Sequence, residues 1–476
     1  MKRGEELRLQ LENCAFEGKT IARIDGLVAF VSGGVAGDEV RARVTKVKKQ
    51  FVEAVTLEVL KPSAMRTEPR CKYFGTCGGC KWQHVDYQAQ LDFKRQHVID
   101  ALERIGGFKG ISVQPTLGSP EIYCYRNKME FSFGQRWLTK EELGEERKVG
   151  ALGSKEMFAL GLHIPKRFDK VLDLDECWLQ SETSYRIVNA VRQFCLDRAL
   201  TIYSTDTHAG YLRNLVIREG KRTGDLMVNL VTSEDKPDSM EALRDKLLGE
   251  FPEITTMVNN ITDRKSQVAI GDTEKVYHGS GFITERIGKR TYNISANSFF
   301  QTNTKQAENL YEAARRLARL TPSDTVFDLY SGTGTIALHV ADDVSRVVGI
   351  ESLPSAIEDA ERNAKLNRVD NCRFVLGDLK NTLTQRAAWL EDQPKPNVVI
   401  TDPPRVGMHE KVIKELQRLS PERIVYVSCN PTTQARDLQL LCKSGNYALA
   451  EVLPVDMFPH TYHVESVVSL QLHRDP

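Results

Sequence analysis

A chain of 476 residues is too long to fold around one hydrophobic core, so about two to four domains are expected. Apolar residues make up 41% and charged residues 27%, which excludes a fibrous or intrinsically disordered chain. The formal net charge of +1 excludes a globally basic protein, so a nucleic-acid site must be a local patch. Since no apolar run approaches the roughly 18 residues of a spanning helix and the start lacks an apolar signal segment, we expect a cytoplasmic protein without a membrane partner.

The first 62 residues predict a small β-barrel. Short alternating apolar runs are separated by Gly-Gly and Gly-Asp turn pairs, which is the pattern of short barrel strands. A basic cluster of Lys46, Lys48 and Lys49 lies beside Phe51. Barrels that interleave basic and aromatic residues often bind oligonucleotides, and a solvated charged face is the alternative interpretation.

A cysteine-rich segment follows, in which Cys71, Cys77 and Cys80 have the spacing C-x5-C-x2-C. Three thiolates need a fourth ligand to hold a tetrahedral zinc ion or a cubane iron–sulfur cluster. Structural zinc sites usually have two C-x2–4-C pairs, and the sequence has no second pair, so an iron–sulfur cluster is favoured. A set of reduced thiols without metal is the remaining alternative. The candidates for the fourth ligand are three later cysteines, Cys124, Cys177 and Cys195. Cys177 is preferred because it lies beside an aromatic residue and an apolar run.

The rest of the chain divides into a mixed segment and an alternating one. Residues 85–107 have apolar positions at helical spacing before a Gly-Gly pair, which predicts a helix. Residues 63–290 otherwise mix strands, helices and polar loops, which predicts an α+β middle domain. From residue 291 to 476 strands and helices alternate, which predicts a parallel, doubly wound α/β domain of the Rossmann-like type.

The motif "DLYSGTG" follows a predicted strand of this last domain and opens a helix. Gly332 and Gly334 let the backbone approach a ligand closely. A dinucleotide fingerprint requires a third glycine, and Ala337 stands at its position, which weakens the phosphate-binding interpretation.

Carboxylates stand at the ends of the next three predicted strands. Glu351 is placed to accept hydrogen bonds from ribose hydroxyls, and Asp378 to contact an adenine amino group. Asp402 begins "DPPR" at the end of the third. Taken singly, an aspartate at a strand end is often only a helix cap. Together, at the carboxyl edge of one sheet, they favour S-adenosylmethionine over a dinucleotide.

Cys429 in "SCNP" ends a further apolar strand, and it is either a buried core thiol or a nucleophile. Methyl transfer to nitrogen needs no thiol, and the aromatic residue that amino-methyltransferases have after "DPP" is replaced by Arg405. Transfer to C5 of a pyrimidine does need one, because C5 becomes nucleophilic only after a thiolate adds at C6. Arg405 and the backbone amides after the cysteine are candidates for stabilising the thiolate.

That reaction also needs a base to remove the C5 proton, so that the thiolate can leave. The segment "FPHTYHVES" supplies three candidates ahead of the last predicted strand, namely His460, His463 and Glu465. Glu465 is the preferred base.

With these motifs in place, the chain resembles the RNA uracil-5-methyltransferases that use S-adenosylmethionine, over nearly its whole length. It is most similar to the branch that acts on 23S ribosomal RNA. The motifs "DLYSGTG", "DPPR", "SCNP" and "HTYHVES" match those of the family, and "SFFQTN" matches its F-x-Q-x-N motif. Ser331 stands where many relatives have cysteine, at a position with no assigned chemistry.

The resemblance implies an RNA-binding TRAM domain at the N-terminus, a monomer, and a partner RNA that is methylated before ribosome assembly is complete. It also implies that the helix predicted over 85–107 packs on the catalytic domain. The residue roles it implies are [4Fe-4S] ligation by Cys71, Cys77, Cys80 and Cys177, catalysis by Cys429 and Glu465, cofactor contacts by Gln301, Tyr330, Gly332, Glu351, Asp378 and Asp402, a position near the flipped base for Phe299, and RNA contacts for Arg126 and Lys128.

The expected function is therefore methylation of C5 of a uridine in RNA, most of all 23S ribosomal RNA. Uridine-5 methylation of transfer RNA and cytosine-5 methylation of RNA need the same thiol and are the enzymatic alternatives. An iron–sulfur protein that binds RNA without catalysis is the third. The intact Cys429, Glu465 and Gln301 weigh against it.

Overall fold

The computed structural model describes residues 1–24, 26–138, 157–165, 167–266, 269–384 and 394–473. Within these ranges the strands form a six-stranded sheet, two seven-stranded sheets and a two-stranded hairpin. None of the helices in the described ranges is long and apolar enough to cross a bilayer.

The N-terminal sheet has the strand order β1-β5-β6-β4-β3-β2. The two edge strands, β1 and β2, are consecutive in the chain, so the chain itself links the two edges of the sheet. At this link the Glu12 amide donates to the Ile21 carbonyl of β3 at 2.7 Å. Val40 and Ala42 are fully buried, while Arg41 between them pairs outside with Glu6 at 2.8 Å. The strands are β1 Glu6–Gln10, β2 Asn13–Cys14, β3 Thr20–Ile24, β4 Leu27–Ser32, β5 Glu39–Val47 and β6 Phe51–Lys61.

The middle sheet has the order β13-β12-β11-β10-β7-β8-β9. Two helices cover one face, and their inward residues share a hydrophobic core with Phe131, Leu215 and Val228. The strands are β7 Lys128–Arg136, β8 Phe158–Ile164, β9 Arg167–Asp173, β10 Leu212–Glu219, β11 Leu226–Thr232, β12 Thr256–Ile261 and β13 Thr273–His278; the helices are Glu182–Asp197 and Pro237–Glu250.

The C-terminal sheet has the order β18-β17-β16-β19-β20-β22-β21. Its first five strands are parallel, and β22 runs antiparallel between β20 and β21. The chain order reverses between β16 and β19, which is the switch point where open α/β sheets bind ligands. The strands are β16 Thr325–Leu329, β17 Arg346–Glu351, β18 Cys372–Leu376, β19 Val398–Thr401, β20 Arg423–Ser428, β21 Tyr447–Val455 and β22 Glu465–Leu472.

Helices cover both faces of this sheet, as its fully buried apolar strands require. Helix Pro431–Cys442 begins directly after the "SCN" corner, with Asn430 as its N-cap. The other helices are Thr304–Ala318, Thr335–Val340, Pro354–Leu366, Leu379–Thr382 and Glu410–Leu419.

Two earlier segments also pack on the C-terminal sheet. Helix Tyr87–Arg104, capped by Asp86, places Val98 and Leu102 in the same core as Tyr426. The hairpin of β14 Phe282–Ile287 and β15 Arg290–Ser295 shares the core on the other face. The domain boundary predicted at residue 290 therefore falls inside a hairpin, and it stays a prediction.

Candidate active site

The glycine-rich loop leaves β16 at the switch point and bends sharply. Tyr330 has φ +62° and Gly332 has φ +52°, the left-handed conformation that non-glycine residues rarely adopt. A Cβ atom at Gly332 would meet no atom within 4 Å, so the loop borders open space. Asp328 accepts a hydrogen bond from the Ala337 amide at 2.9 Å. Its burial raises its pKa to about 8, although this hydrogen bond acts in the opposite direction. The loop thus offers a backbone cradle beside a buried carboxyl group.

Glu351 closes this cradle at the end of β17. One carboxylate oxygen accepts from the Gly332 amide at 3.1 Å. The other accepts from the amides of Ser352 and Leu353 at 2.6 and 3.0 Å. The Ser352 hydroxyl also donates to this second oxygen at 3.0 Å, so the open acceptor position lies on the oxygen that the Gly332 amide binds, while the loop fixes the orientation of the carboxylate.

The other two strand-end carboxylates have different environments. Asp378 is exposed, caps the short helix after β18 through the Lys380 amide at 3.0 Å, and pairs with the Lys380 side chain. Asp402 is half-buried beyond β19, and desolvation raises its pKa to about 7. Asp378 therefore has a structural role that the sequence had offered as the alternative, and Asp402 belongs to the interior of the site.

Cys429 and Glu465 lie at the same end of neighbouring strands. Strand β20 ends at Ser428, and β22 begins at Glu465. The antiparallel register pairs Ser428 with Ser466, so the next residue on β20 faces the preceding residue on β22. The half-buried thiol and the buried carboxyl group are thus brought together from positions that are distant in the sequence.

The electrostatics of this pair favour the neutral forms. Burial, followed by the negative charges of Glu465 and Asp402, raises the pKa of the Cys429 thiol to about 12, against the opposing effect of Arg405. Burial also raises the pKa of Glu465 well above its usual value, and the nearby Asp402 adds to the shift. Without a bound ligand, the thiol is protonated at neutral pH.

Arg405 is tied to the cysteine corner by its backbone. Its carbonyl accepts from the Asn430 side chain at 3.0 Å and from the Thr433 hydroxyl at 3.1 Å. Its guanidinium lies 3.3 Å from the His463 ring nitrogen. Burial and the nearby cation lower the pKa of His463 to about 4, so the neutral ring leaves Arg405 as the cation facing the thiol.

The "SFFQTN" segment forms a loop held by the middle domain. The Asn127 side chain donates to the Gln301 carbonyl at 2.8 Å. Arg218, which is fully buried, donates to the carbonyls of Ala296 and Ser298 at 3.2 and 2.5 Å. Neither holding residue stands out in the sequence; the only signal is that an arginine occurs inside the apolar strand "LVIRE".

Phe299 projects from this loop with 70% of its surface exposed. It borders a groove together with Arg126, Lys128 and Thr302, and the volume of about 790 Å³ at this groove includes space open to solvent. Lys128 pairs with Glu130 at 2.5 Å, and burial lowers its pKa. The groove therefore brings together the aromatic residue and both cations that the sequence singled out, and Glu130 neutralises part of its positive charge.

The four cysteines of the predicted cluster line one cavity. Cys71, Cys77, Cys80 and Cys177 border a pocket between the cysteine-rich segment and the middle sheet, whose volume of about 370 Å³ includes space open to solvent. Neither Cys124 nor Cys195 lines it. In the described part of the chain, no group of three or more potential ligands converges tightly enough to hold a single metal ion.

Backbone amides point at three of these sulfurs. The Gly79 amide donates to Cys77 at 3.3 Å, Tyr73 and Phe74 donate to Cys71, and Leu179 donates to Cys177. Burial nevertheless raises the pKa of Cys80 to about 11 and that of Cys177 to about 12. A group of thiols with amide donors, of which Cys177 is buried and the other three are half-buried, suits a bound cation that would deprotonate them.

Comparisons with known proteins agree with this architecture. Residues 257–473 match the family described as tRNA (Uracil-5-)-methyltransferase, and residues 1–57 match the TRAM domain. An RNA methyltransferase of Chlorobaculum tepidum is 46% identical over 99% of this chain and 97% of its own length. A second, of Porphyromonas gingivalis, is 44% identical over 97% of this chain and 99% of its own.

A solved structure extends the match to three dimensions. The tRNA (uracil-54, C5)-methyltransferase of Pyrococcus abyssi, crystallised with S-adenosyl-L-homocysteine, is 31% identical. It matches 98% of this chain and 100% of its own with a TM-score of 0.74. Sequence and structure agree from end to end, so the chain belongs to the TRAM-containing family of S-adenosylmethionine-dependent RNA uracil-5-methyltransferases.

Proposed function

We propose that the chain methylates C5 of a uridine in 23S ribosomal RNA, with Cys429 as the nucleophile and Glu465 as the base. The observation that carries the catalytic assignment is the register of β20 and β22, which brings a thiol and a carboxyl group to one strand end beside the cofactor cradle. Methylation at C5 is a reaction that requires both groups.

The chemistry follows from these two side chains. The Cys429 thiol loses its proton to solvent, and its sulfur forms a bond to C6 while the C5–C6 electron pair moves into the enolate. S-adenosylmethionine would supply the methyl group to C5, with its S–CH3 bond breaking and the neutral thioether as the leaving group. Glu465 as carboxylate then removes the C5 proton, the double bond re-forms, and the C6–S bond breaks to return the Cys429 thiolate.

Residues of this chain fit the cofactor at the switch point. The open space at Gly332 admits a ligand against the backbone, and Glu351 has acceptor capacity for ribose hydroxyls. Tyr330 and Asp402 directly follow β16 and β19 and are candidates for the cofactor site. Gln301 is proposed as a cofactor contact from the family resemblance. Asp378 is assigned to the adenine end, where its exposed carboxylate is reachable.

We also assign a [4Fe-4S] cluster to Cys71, Cys77, Cys80 and Cys177. A cubane stands between its ligands, so it requires thiols around a shared space and not converging on a point; the presence of all four cysteines in the lining of one cavity supports the proposal. Hydrogen bonds from amides to thiolate sulfurs are a common feature of such sites. The cluster would hold the cysteine-rich segment to the middle sheet, since the methyl transfer needs no electron.

The cluster assignment predicts that a cysteine lining the cavity is needed for iron binding and that a cysteine outside it is not. After anaerobic reconstitution with iron and sulfide, we expect about four iron atoms per chain and a visible charge-transfer absorption in the wild type. Cys177→Ser should lose most of both, because a hydroxyl is a poor ligand for iron. Cys124→Ser is the matched control outside the cavity and should retain them. Equal iron content in the two variants would contradict the assignment.

The choice of RNA depends on domain content. In bacteria, the branch of this family that acts on transfer RNA typically lacks both the TRAM domain and the cluster. The TRAM domain and the proposed cluster together therefore favour the ribosomal branch for this chain. The match to the Pyrococcus abyssi transfer-RNA enzyme over the whole chain favours transfer RNA as a second candidate.

The two candidates are separated by a direct assay. We expect 5-methyluridine to form in a 23S ribosomal RNA transcript with a kcat/KM at least about tenfold above that for a transfer-RNA transcript, equivalent to about 1.4 kcal/mol of discrimination. A ribosomal RNA in which one uridine at a time is replaced by cytidine identifies the target. Methylation of transfer RNA alone would replace the ribosomal assignment with the second candidate.

A further inference from the structure

The loop that joins β21 to Glu465, residues 456–464, is here called the base loop. It contacts three parts of the chain that precede the catalytic sheet by hundreds of residues: helix Tyr87–Arg104, the two residues that follow Cys80, and Tyr125. None of these contacts involves the cofactor cradle. Their function must therefore be sought in the base loop itself and in Glu465, which follows it.

The first contact is a buried ion pair at the start of the base loop. Lys94 lies 2.5 Å from Asp456, and both side chains are fully buried. The Tyr87 hydroxyl donates to the other Asp456 oxygen at 2.9 Å, and Lys94 also donates to the Phe458 carbonyl at 3.1 Å. An ion pair taken out of water is retained only with good geometry and further hydrogen bonds, and this one has both.

The second contact surrounds His460 in the middle of the base loop. The side-chain oxygen of Gln90 accepts from the His460 amide at 2.8 Å, and the Gln90 amide group donates to the carbonyls of Trp82 and Val85 at 3.1 and 2.9 Å. The His460 carbonyl accepts from the amides of Lys81 and Trp82 at 2.8 and 3.0 Å. The peptide groups on both sides of His460 are therefore fixed.

This fixing holds an unfavourable backbone conformation. His460 has φ +64°, which costs a non-glycine residue of order 1 kcal/mol and persists where the surroundings impose it. From His460 the loop continues through a tight turn, in which the Thr461 hydroxyl donates to Phe458 and accepts from the His463 amide. Glu465 begins β22 two residues after His463, so the base loop leads directly into the residue that carries this carboxyl group.

We propose that Gln90 is a positioning residue for the methylation reaction: it holds the base loop so that Glu465 reaches the C5 proton. The inference rests on the proposed role of Glu465 as the base. Gln90 touches neither the cofactor cradle nor Cys429, so it acts on proton removal and not on the formation of the adduct. The hydrogen bonds that hold His460, from Gln90 on one side and from the amides of Lys81 and Trp82 on the other, are here called the clamp. Because these two amides directly follow Cys80, the clamp also joins the base loop to the cysteine-lined cavity.

The test separates proton removal from the earlier steps. RNA carrying 5-fluorouridine has no C5 proton to lose, so its covalent adduct reports only thiolate addition and methyl transfer. Turnover on ordinary RNA reports the whole reaction. For Gln90→Met, which keeps the side-chain length and removes the hydrogen bonds, we expect trapping at the wild-type rate. We expect turnover about 10²-fold lower, with a methylated protein–RNA adduct accumulating on ordinary RNA.

Two further variants make the result decisive. Gln88→Met places the same substitution on the exposed side of the same helix and should match the wild type in both assays. Tyr87→Phe removes one hydroxyl from Asp456 and should show a smaller effect of the same kind. Parallel loss of trapping and turnover in Gln90→Met, or unchanged turnover, would overturn the inference. A wild type that forms no 5-fluorouridine adduct would overturn the proposed function as well.

Discussion

The Cys429→Ala variant should lose 5-methyluridine formation by roughly 10⁴-fold or more, because no other group of the site can add to C6. The wild type should form a covalent complex with RNA carrying 5-fluorouridine that survives denaturation, and the variant should form none. Alanine at this half-buried position removes one sulfur atom and leaves the strand and the helix cap of Asn430 in place. The loss is therefore expected without a change in melting temperature.

The pH dependence of the thiol provides an independent check. Because burial and the neighbouring carboxylates raise the pKa of Cys429 to about 12, the free enzyme holds a protonated thiol at neutral pH. The thiolate fraction, and with it the rate of alkylation by iodoacetamide, should rise about tenfold per pH unit between about pH 7 and 9. Cys442→Ser, which removes another half-buried cysteine, is the control for alkylation elsewhere. For the preceding prediction, normal methylation by the Cys429→Ala variant would refute the mechanism in which Cys429 is the nucleophile.

Much of the architecture could be predicted because the signals are local. The helix predicted over 85–107 extends over Tyr87–Arg104, and the strands predicted before "SGTG", "DPPR" and "SCNP" end at those corners. Apolar periodicity and helix caps depend on neighbours within one turn, so a single sequence carries them.

The positions of the site residues could be predicted only in part. A parallel sheet brings its carboxyl ends together, which placed Glu351, Asp402 and Cys429 at one edge. The sequence did not show that Asp378 would cap a helix and pair with Lys380, because a cap and a ligand contact have the same residue pattern.

The clamp on the base loop could not be predicted at all. Gln90 and His460 are 370 positions apart. In the sequence Gln90 and Lys94 read as polar residues of a helix, which are usually exposed, but both are fully buried. Their burial depends on the packing of helix Tyr87–Arg104 against the base loop, and tertiary contacts of this kind leave no periodic signal.

The Glu465→Gln variant should stop the reaction after methyl transfer. Glutamine has the shape of the protonated carboxyl group, and burial already favours that neutral form, so the variant should fold and bind RNA as the wild type does. It has no basic oxygen for the C5 proton. General-base catalysis is worth about 10²–10⁴-fold, so turnover should fall by that factor. A methylated adduct, detected by labelled cofactor on a denaturing gel, should accumulate on ordinary RNA.

The step at which the reaction of the Glu465→Gln variant stops identifies the residue that acts as the base. Trapping of 5-fluorouridine RNA by Glu465→Gln should remain close to the wild-type rate, whereas Cys429→Ala combined with Glu465→Gln should give no adduct with either RNA. If another group were the base, Glu465→Gln would turn over normally and hold no adduct. The raised pKa of Glu465 adds a pH test: since only the carboxylate removes the proton, the wild-type adduct should persist longest at low pH and decay faster as the pH rises. Adduct decay that is independent of pH would contradict proton removal by this residue.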